Sequence, residues 1–136
     1  MEASGGGLRL RRANDDAIIC DDLVMGESFG QRFMGLMGRA SLPSGEGLYL
    51  PTSSIHMMFM RFAIDALFVS RPNEAGSRRV VGIRKRLPPW RGIVMPVRGA
   101  DGVVELAAGT LTNQGVQLDD QVVIEPADAQ TQVSAA

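Results

Sequence analysis

Three ionisable side chains lie in one otherwise apolar stretch of the chain, between Ile55 and Val69. They are His56, Arg61 and Asp65, and His56 is the only histidine in the sequence. An apolar segment of this kind is expected to enter a core, where a charge is tolerated only with a partner or with a shifted pKa. The stretch is therefore expected to be either a structural ion-pair network or one wall of a binding site.

A second carboxylate in apolar surroundings is Glu105, in the run Val103–Leu106. If residues 61 to 65 form one strand, Arg61 and Asp65 lie about 13 Å apart at roughly 3.3 Å per residue, too far for direct contact unless the strand bends. Arg61 is then expected to pair either with Glu105 on a neighbouring strand or with Asp65 across a bend. A functional role for the same charges stays open.

Two carboxylates and a histidine could also support acid–base chemistry. A hydrolase of this kind would need Asp65 and Glu105 within about 10 Å of each other around an open cleft. The sequence contains no phosphate-binding glycine loop. No catalytic residue is assigned, and a non-catalytic role is preferred.

Metal binding is a further alternative, because His56, Met58 and Met60 alternate along the apolar stretch. Thioethers and an imidazole suit copper(I), but methionines at alternate strand positions are also common core fillers. Cys20 is the only cysteine, which excludes an intramolecular disulfide and a zinc site built on several cysteines. No metal and no cofactor are predicted.

Composition bounds the class of protein. The chain has 136 residues, of which 45% are hydrophobic and 21% charged, as is usual for one globular domain. The sequence shows neither a secretory signal nor an apolar stretch suited to span a bilayer, which predicts a cytoplasmic protein without a membrane partner. We expect a single domain at residues 8–125 and disordered segments at residues 1–7 and 126–136. The composition makes no prediction of the oligomeric state.

The charges are segregated although the net charge is only −1. Between Arg71 and Arg98 there are eight basic residues and one acid, and Trp90 lies between Arg86 and Arg91. Arginines beside an exposed aromatic ring could contact nucleic acid, whereas the near-zero net charge favours an ordinary solvated strand face. A module for nucleic acid or an acidic partner, using residues 78–91, is kept as an alternative.

Short apolar runs divided by turn residues predict a mainly β fold, a small barrel-like or rolled antiparallel sheet with one or two short helices. Leu8–Arg12 and Ala17–Cys20 are predicted to form one hairpin, with the second strand ending at Asp21. Ala66–Ser70 and Arg79–Ile83 are predicted to form another.

Two helices and one further strand complete the predicted elements. Helical spacing predicts a helix within Glu27–Arg39, with Ser28 as its N-cap. A second helix is predicted at Leu111–Gly115, capped by Thr110. The run Ile55–Phe62 is expected to be one strand.

Three segments resemble the DUF192 family of small bacterial and archaeal domains of uncharacterised function. They are Gly35–Arg39 with Leu42, Ile55–Phe68, and Val104–Gly115 with Asp120–Val122, in the family's order and spacing across residues 28–125. The resemblance implies a β-rich, barrel-like domain with short helices, and it supplies no activity beyond a suggested small polar ligand such as a saccharide.

Residue by residue, the resemblance places Arg39, His56, Met60, Asp65 and Glu105 at the family's characteristic positions. The chain departs from the family at Ala63, where relatives often have proline, and at Asp119, where a glycine usually precedes the aspartate.

The leading hypothesis is therefore a non-catalytic domain that binds a small polar ligand in a pocket beside Ile55–Asp65, since such pockets combine apolar walls with a few polar groups. The candidate ligand-binding residues are Arg39, His56, Met60, Arg61, Asp65 and Glu105.

Overall fold

The computed structural model describes residues 7–26, 40–58 and 60–129. The elements of these residues follow each other as β1 (Leu8–Arg12), β2 (Ile18–Met25), β3 (Glu46–Leu50), β4 (Ile55–His56), β5 (Ile64–Val69), β6 (Ser77–Leu87), β7 (Ile93–Val94), β8 (Gly102–Ala107), α1 (Thr110–Gln114) and β9 (Gln121–Pro126).

Seven of these strands close into a barrel in the order β1-β2-β3-β8-β5-β6-β9, in which β9 also pairs with β1. The pair β2–β3 is parallel, and the other neighbours in the barrel are antiparallel. Closure leaves no unpaired edge in this sheet. The two short strands β4 and β7 pair with each other outside the barrel. The predicted mainly β, barrel-like fold with a short helix is confirmed.

Two apolar clusters lie on opposite faces of the barrel sheet. The inner cluster takes side chains from every barrel strand, among them Leu10, Leu67 and Val104. The outer cluster joins β3, β5 and β8 to β4, β7 and the segment around Met57 and Met60. Strand β5 is buried along its whole length. Burial on both faces explains why its residues other than Asp65 are all apolar, instead of alternating with polar residues.

The run Ile55–Phe62 does not form the single strand that its sequence suggested. Only Ile55 and His56 belong to β4, and the chain then turns, with the amide of Met60 donating to the carbonyl of Met57 at 3.0 Å. Met57 and Met60 are both buried, whereas Met58 is 45% exposed. The three residues of the copper alternative, His56, Met58 and Met60, therefore do not share a strand face, because the turn interrupts the alternation of side chains.

Both predicted hairpins are present, as β1–β2 and β5–β6. Strand β2 does not end at Asp21 as predicted. It continues to Met25, and Asp21 and Asp22 are exposed positions within it. Their amides donate to the carbonyl of Gly45, at 3.1 and 3.0 Å, beside the parallel β2–β3 pair.

Helix α1 packs against the barrel through Leu111, which is buried in the inner cluster. The prediction that Thr110 is the N-cap is wrong. The N-cap is Gly109, with φ +96°, which has no side chain to cap the helix. A positive φ of this kind favours glycine. The predicted helix within Glu27–Arg39 lies outside the described residues.

Strand β9 ends at Pro126, one residue beyond the predicted domain boundary. The amide of Ala127 donates to the carbonyl of Gly7, and the Arg9 guanidinium donates to the carbonyl of Ala129. Arg9 and Arg11 both form ion pairs with Glu125 across the β1–β9 ladder. Within the described ranges, no helix is both long and apolar enough to cross a membrane. The cytoplasmic location stays a prediction.

Candidate functional site

Asp65 is fully buried, and its carboxylate accepts three backbone hydrogen bonds. Oδ1 accepts from the amide of Arg86 at 2.9 Å. Oδ2 accepts from the amides of Gly109 and Leu111 at 3.1 and 2.9 Å. Because the N-cap Gly109 has no side chain, the Asp65 carboxylate caps α1 in its place. A negative charge is also favoured at the N-terminus of a helix.

The contact with Arg86 arises from a local irregularity between β5 and β6. Ile64 pairs with Leu87 but Ala66 pairs with Arg84, so β6 has one extra residue here. Arg86 has φ +52°, and its amide points to the Asp65 carboxylate instead of to a strand carbonyl. Such a bulge leaves the amide of one residue without a partner in the ladder, and the Asp65 carboxylate accepts this hydrogen bond.

Arg61 does not form the predicted ion pair. Its side chain is exposed, and neither Asp65 nor Glu105 lies within ion-pairing distance of it. The turn after His56 carries Arg61 to the surface, while backbone amides take the place of a cation at Asp65. Both predicted pairs, Arg61–Glu105 and Arg61–Asp65, are therefore wrong.

Asp65 and Glu105 lie on opposite faces of the barrel sheet. In the β5–β8 register Ala66 faces Glu105, and Asp65 faces Leu106. Paired residues share a face, so Asp65 lies on the side of the inner cluster and Glu105 on the side of the outer cluster. This register rules out the hydrolase with these two carboxylates around one cleft.

Glu105 faces a cavity of about 380 Å³ between the barrel sheet and the β4–β7 pair. The described residues that line it are Leu50, Thr52, Ser54, Ile55, His56, Ile93, Val94, Met95, Pro96 and Glu105. Most of these side chains are apolar, and a few are polar. This combination and size are typical of pockets for small ligands.

Glu105 is 4% exposed, and no described residue donates a hydrogen bond to its carboxyl group. Burial raises the pKa of Glu105 to about 7, from an ordinary value of 4.5. The cause is desolvation, which disfavours the charged form. A buried polar group without a hydrogen-bond partner among the described residues is unusual, and such a group often marks a functional position.

Of the other candidate residues, the structure places some at the cavity and some elsewhere. His56 lines the cavity together with Glu105, and its Nδ1 accepts from the amide of Met58 at 3.3 Å. Met60 is buried in the outer cluster and does not line the cavity. Arg39 lies outside the described residues. The apolar stretch therefore contributes Ile55 and His56 to the cavity, not Asp65.

The sequence reasoning missed Ser54, Thr52 and the segment Ile93–Pro96, which line the cavity together with Glu105. The signal available for Ile93–Pro96 was its apolar sequence after a turn-rich segment. Nothing in the sequence indicated that this segment lies over β8.

A second cavity of about 430 Å³ lies between β2 and α1, lined in part by Asp21, Ser44 and Asn113. Nearby, the Cys20 thiol is buried and donates to the carbonyl of Gly45. Burial raises the pKa of Cys20 to about 11, so the thiol stays protonated and unreactive. Among the described residues, no group of three or more His, Cys, Asp or Glu side chains could hold a metal ion.

One pattern typical of a serine nucleophile, Gly-x-Ser-x-Gly, occurs at Gly26–Gly30 directly after β2. Such a serine acts only with a base within hydrogen-bond distance. Residues 27–30 lie outside the described part of the chain, so the pattern gains no geometric support.

The fold and the site define a closed β-barrel domain with an outer two-stranded layer and a cavity beneath it. The profile of DUF192, described as "Uncharacterized ACR", matches residues 11–124. The chain belongs to the DUF192 family.

A relative with a known sequence agrees with this assignment. A UPF0127 protein from Thermococcus sibiricus is 33% identical over 101 residues, which span 71% of this chain and 61% of that protein. The matched region is thus less than two thirds of that relative's length.

Two crystal structures share the fold. One is a Sinorhizobium meliloti protein proposed to be a transcription regulator, with a TM-score of 0.63, 23% identity, and coverage of 85% of this chain and 89% of that one. The other is a protein of unknown function from Novosphingobium aromaticivorans, with a TM-score of 0.67, 20% identity, and coverage of 85% and 81%. At these identities the likeness shows the fold alone.

Replacing Asp65 with alanine is expected to destabilise the domain by about 3 kcal/mol or more, because three backbone amides lose their acceptor. Urea denaturation monitored by circular dichroism measures the change. Asp22→Ala is the matched control, since Asp22 is exposed on β2, and it should shift stability by less than about 0.5 kcal/mol. Equal midpoints for Asp65→Ala and the wild type would contradict the structural role.

Glu105 should make the domain less stable as the pH rises. Below pH 4.5 the carboxyl is protonated in both the folded and the unfolded state, so it contributes no penalty. Between pH 4.5 and about 7 only the unfolded state loses the proton, and the penalty grows to roughly 3 kcal/mol. Glu105→Gln should therefore match the wild type at pH 4 and be more stable at pH 8.

Urea titrations of both proteins at several pH values test this dependence. Glu125→Gln is the control with the opposite sign, because hydrogen bonds from Arg11 and Arg9 lower the pKa of Glu125. That variant should lose stability at pH 8 relative to the wild type. Parallel pH profiles for the wild type and Glu105→Gln would show that Glu105 does not titrate near neutral pH.

Proposed function

We propose that this domain binds a small polar ligand, without catalysis, in the cavity between β8 and the β4–β7 pair. The observation that carries the proposal is the Glu105 carboxyl group, which faces the cavity and accepts no hydrogen bond from a described residue. A ligand that donates to this group would remove the cost of its desolvation.

The composition of the cavity supports a ligand with both polar and apolar parts. Ile55, Ile93, Val94 and Met95 supply apolar walls, and Glu105 supplies an acceptor at the sheet surface. Ile93 and Met95 are 64% and 73% exposed, so the rim of the cavity is apolar and open to solvent. Apolar surface of this kind beside a cavity favours a binding role over a purely structural one.

The proposed site differs from the one expected from the sequence. His56 and Glu105 remain candidate ligand-binding residues, since both line the cavity. Of the other four, Asp65 caps α1, Met60 packs in the outer cluster, and Arg61 is exposed at the surface. The fourth, Arg39, lies outside the described residues. A catalytic role is not proposed, because the second carboxylate of the hydrolase hypothesis lies on the other face of the sheet.

Filling the cavity should abolish binding while a matched change elsewhere should not. Ser54 lines this cavity and Ser44 lines the second one, so Ser54→Phe and Ser44→Phe add the same volume at different sites. The measurement is a fragment screen by two-dimensional amide NMR with small alcohols, amines, carboxylates and monosaccharides. Ligands that shift the amides of His56, Val94 and Glu105 should lose these shifts only in Ser54→Phe.

Two outcomes would contradict the proposal. One is that no fragment class shifts amides around the cavity of the wild-type protein. The other is that Ser54→Phe and Ser44→Phe, both folded by their amide spectra, bind the same fragments equally.

A second candidate function is contact with single-stranded nucleic acid or an acidic partner through residues 78–91. Arg84, Lys85 and Arg86 are consecutive exposed residues at the end of β6, and Trp90 is 55% exposed. Basic groups beside an exposed aromatic ring are typical of such surfaces. The proposed role of the Sinorhizobium protein in transcription is compatible with this candidate but belongs to that protein.

This second candidate predicts steeply salt-dependent retention on an immobilised single-stranded oligonucleotide, because binding releases counterions. The double variant Arg84→Ala with Lys85→Ala should elute at lower salt than the wild type. Arg71→Ala with Arg98→Ala removes the same charge from exposed positions outside residues 78–91 and serves as the control. Absence of retention at low salt, or equal elution of both double variants, would exclude the candidate.

A further inference from the structure

The charges around the cavity narrow the class of ligand. Among its described lining residues the acid Glu105 has no basic counterpart other than His56, and the lining contains no lysine or arginine. A ligand with a carboxylate or phosphate would therefore meet a carboxyl group, and no lysine or arginine among the described lining residues would bind it. An anionic ligand is disfavoured by this arrangement.

A hydroxyl-rich ligand is also disfavoured, because the cavity offers few polar partners. Among the described residues, two hydroxyl side chains line it, Thr52 and Ser54. Thr52 Oγ1 already donates to the carbonyl of Ser54 and accepts from its amide, at 3.1 and 3.3 Å, which leaves the hydroxyl of Ser54. The remaining walls are mostly aliphatic side chains and Met95. Hydroxyl groups buried against such walls would lose their hydrogen bonds to water without replacement.

A ligand with one positively charged nitrogen avoids both problems, since it is not anionic and needs few polar partners. It donates charge-assisted hydrogen bonds, which are stronger than neutral ones, and it compensates a carboxylate that the fold buries. The strands on either side of β8 place Leu48 and Ala66 opposite Glu105, and neither side chain competes for a cation. Strand β4 brings His56, and β7 with the residues after it brings only apolar side chains.

We infer that the cavity takes a compact cationic ligand, an ammonium or amidinium group on a short apolar body, with the positive nitrogen paired to Glu105. The apolar body lies against Ile55, Val94 and Met95. This inference rests on the proposed binding function and narrows its ligand from any small polar molecule to an organic cation. It leads away from the saccharide suggested by family resemblance.

The pairing also links ligand binding to protonation. Because burial raises the pKa of Glu105 to about 7, the carboxyl is mostly protonated below neutral pH and must lose its proton to pair with a cation. Cation affinity should therefore increase as the pH rises through 7. An alkylammonium keeps its own charge throughout, since its pKa is about 10.

A matched series of probes tests the inference, namely n-butylammonium, 1-butanol and butyrate, which share an alkyl body and differ in charge. Dissociation constants at pH 8 are obtained from amide NMR titrations of the wild type, Glu105→Gln and Asp21→Asn. Asp21 is an exposed carboxylate beside the second cavity and serves as the control. The wild type and Asp21→Asn should bind butylammonium about tenfold or more tightly than butanol, as expected for one charge-assisted hydrogen bond.

Glu105→Gln should lose this preference, with butylammonium weakened about tenfold and butanol unchanged. At pH 5.5 the preference of the wild type should also fall, because Glu105 is then protonated. If butanol binds at the cavity as tightly as butylammonium, or if Glu105→Gln keeps the preference, the cationic ligand is excluded while the binding function stands. If none of the three probes shifts amides around the cavity, the cationic ligand is also excluded, and the fragment screen decides whether the binding function stands.

Discussion

A single buried carboxylate connects three elements of this barrel. Asp65 leaves β5, accepts the amide of the bulged residue Arg86 on β6, and accepts two amides at the start of α1. Each group depends on the others, because the amides would be buried without an acceptor and the carboxylate without a donor. The end of the barrel covered by α1 therefore depends on a polar contact as well as on the burial of Leu111.

Strand register gives the two buried carboxylates opposite roles. Asp65 pairs with Leu106 and Glu105 with Ala66, so neighbouring positions of the same strand pair face different layers. The inner side offers Asp65 the amides of a bulge and a helix start. The outer side offers Glu105 apolar strands whose own amides already pair, as in the β4–β7 ladder. The same residue class is thus structural on one face and available to a ligand on the other.

Features set by neighbouring residues could be predicted from the sequence, and features set by distant contacts could not. The barrel class and both hairpins followed from apolar runs and turn residues. The cap of α1 did not, because the side chain that caps Leu111 lies 46 residues earlier in the chain. Asp119 is an intermediate case. The resemblance to the family implied a glycine at this position, and Asp119 has φ +72°, a left-handed conformation that aspartate tolerates better than most residues. Of the candidate site, His56 and Glu105 were predicted, but their shared cavity depends on tertiary packing.

The outer layer explains why a cavity exists beside Glu105 at all. Strands β4 and β7 have two residues each, so each covers about 7 Å of a sheet whose strand β8 extends about 20 Å. The layer buries Ile64, Ala66 and Phe68 where it lies on the sheet, and it leaves a gap where β8 presents Glu105. An apolar residue at that position would bury the same surface without a desolvated carboxyl group. The stability of the fold therefore gives no reason for a carboxyl group at the gap, and the proposed ligand-binding function does.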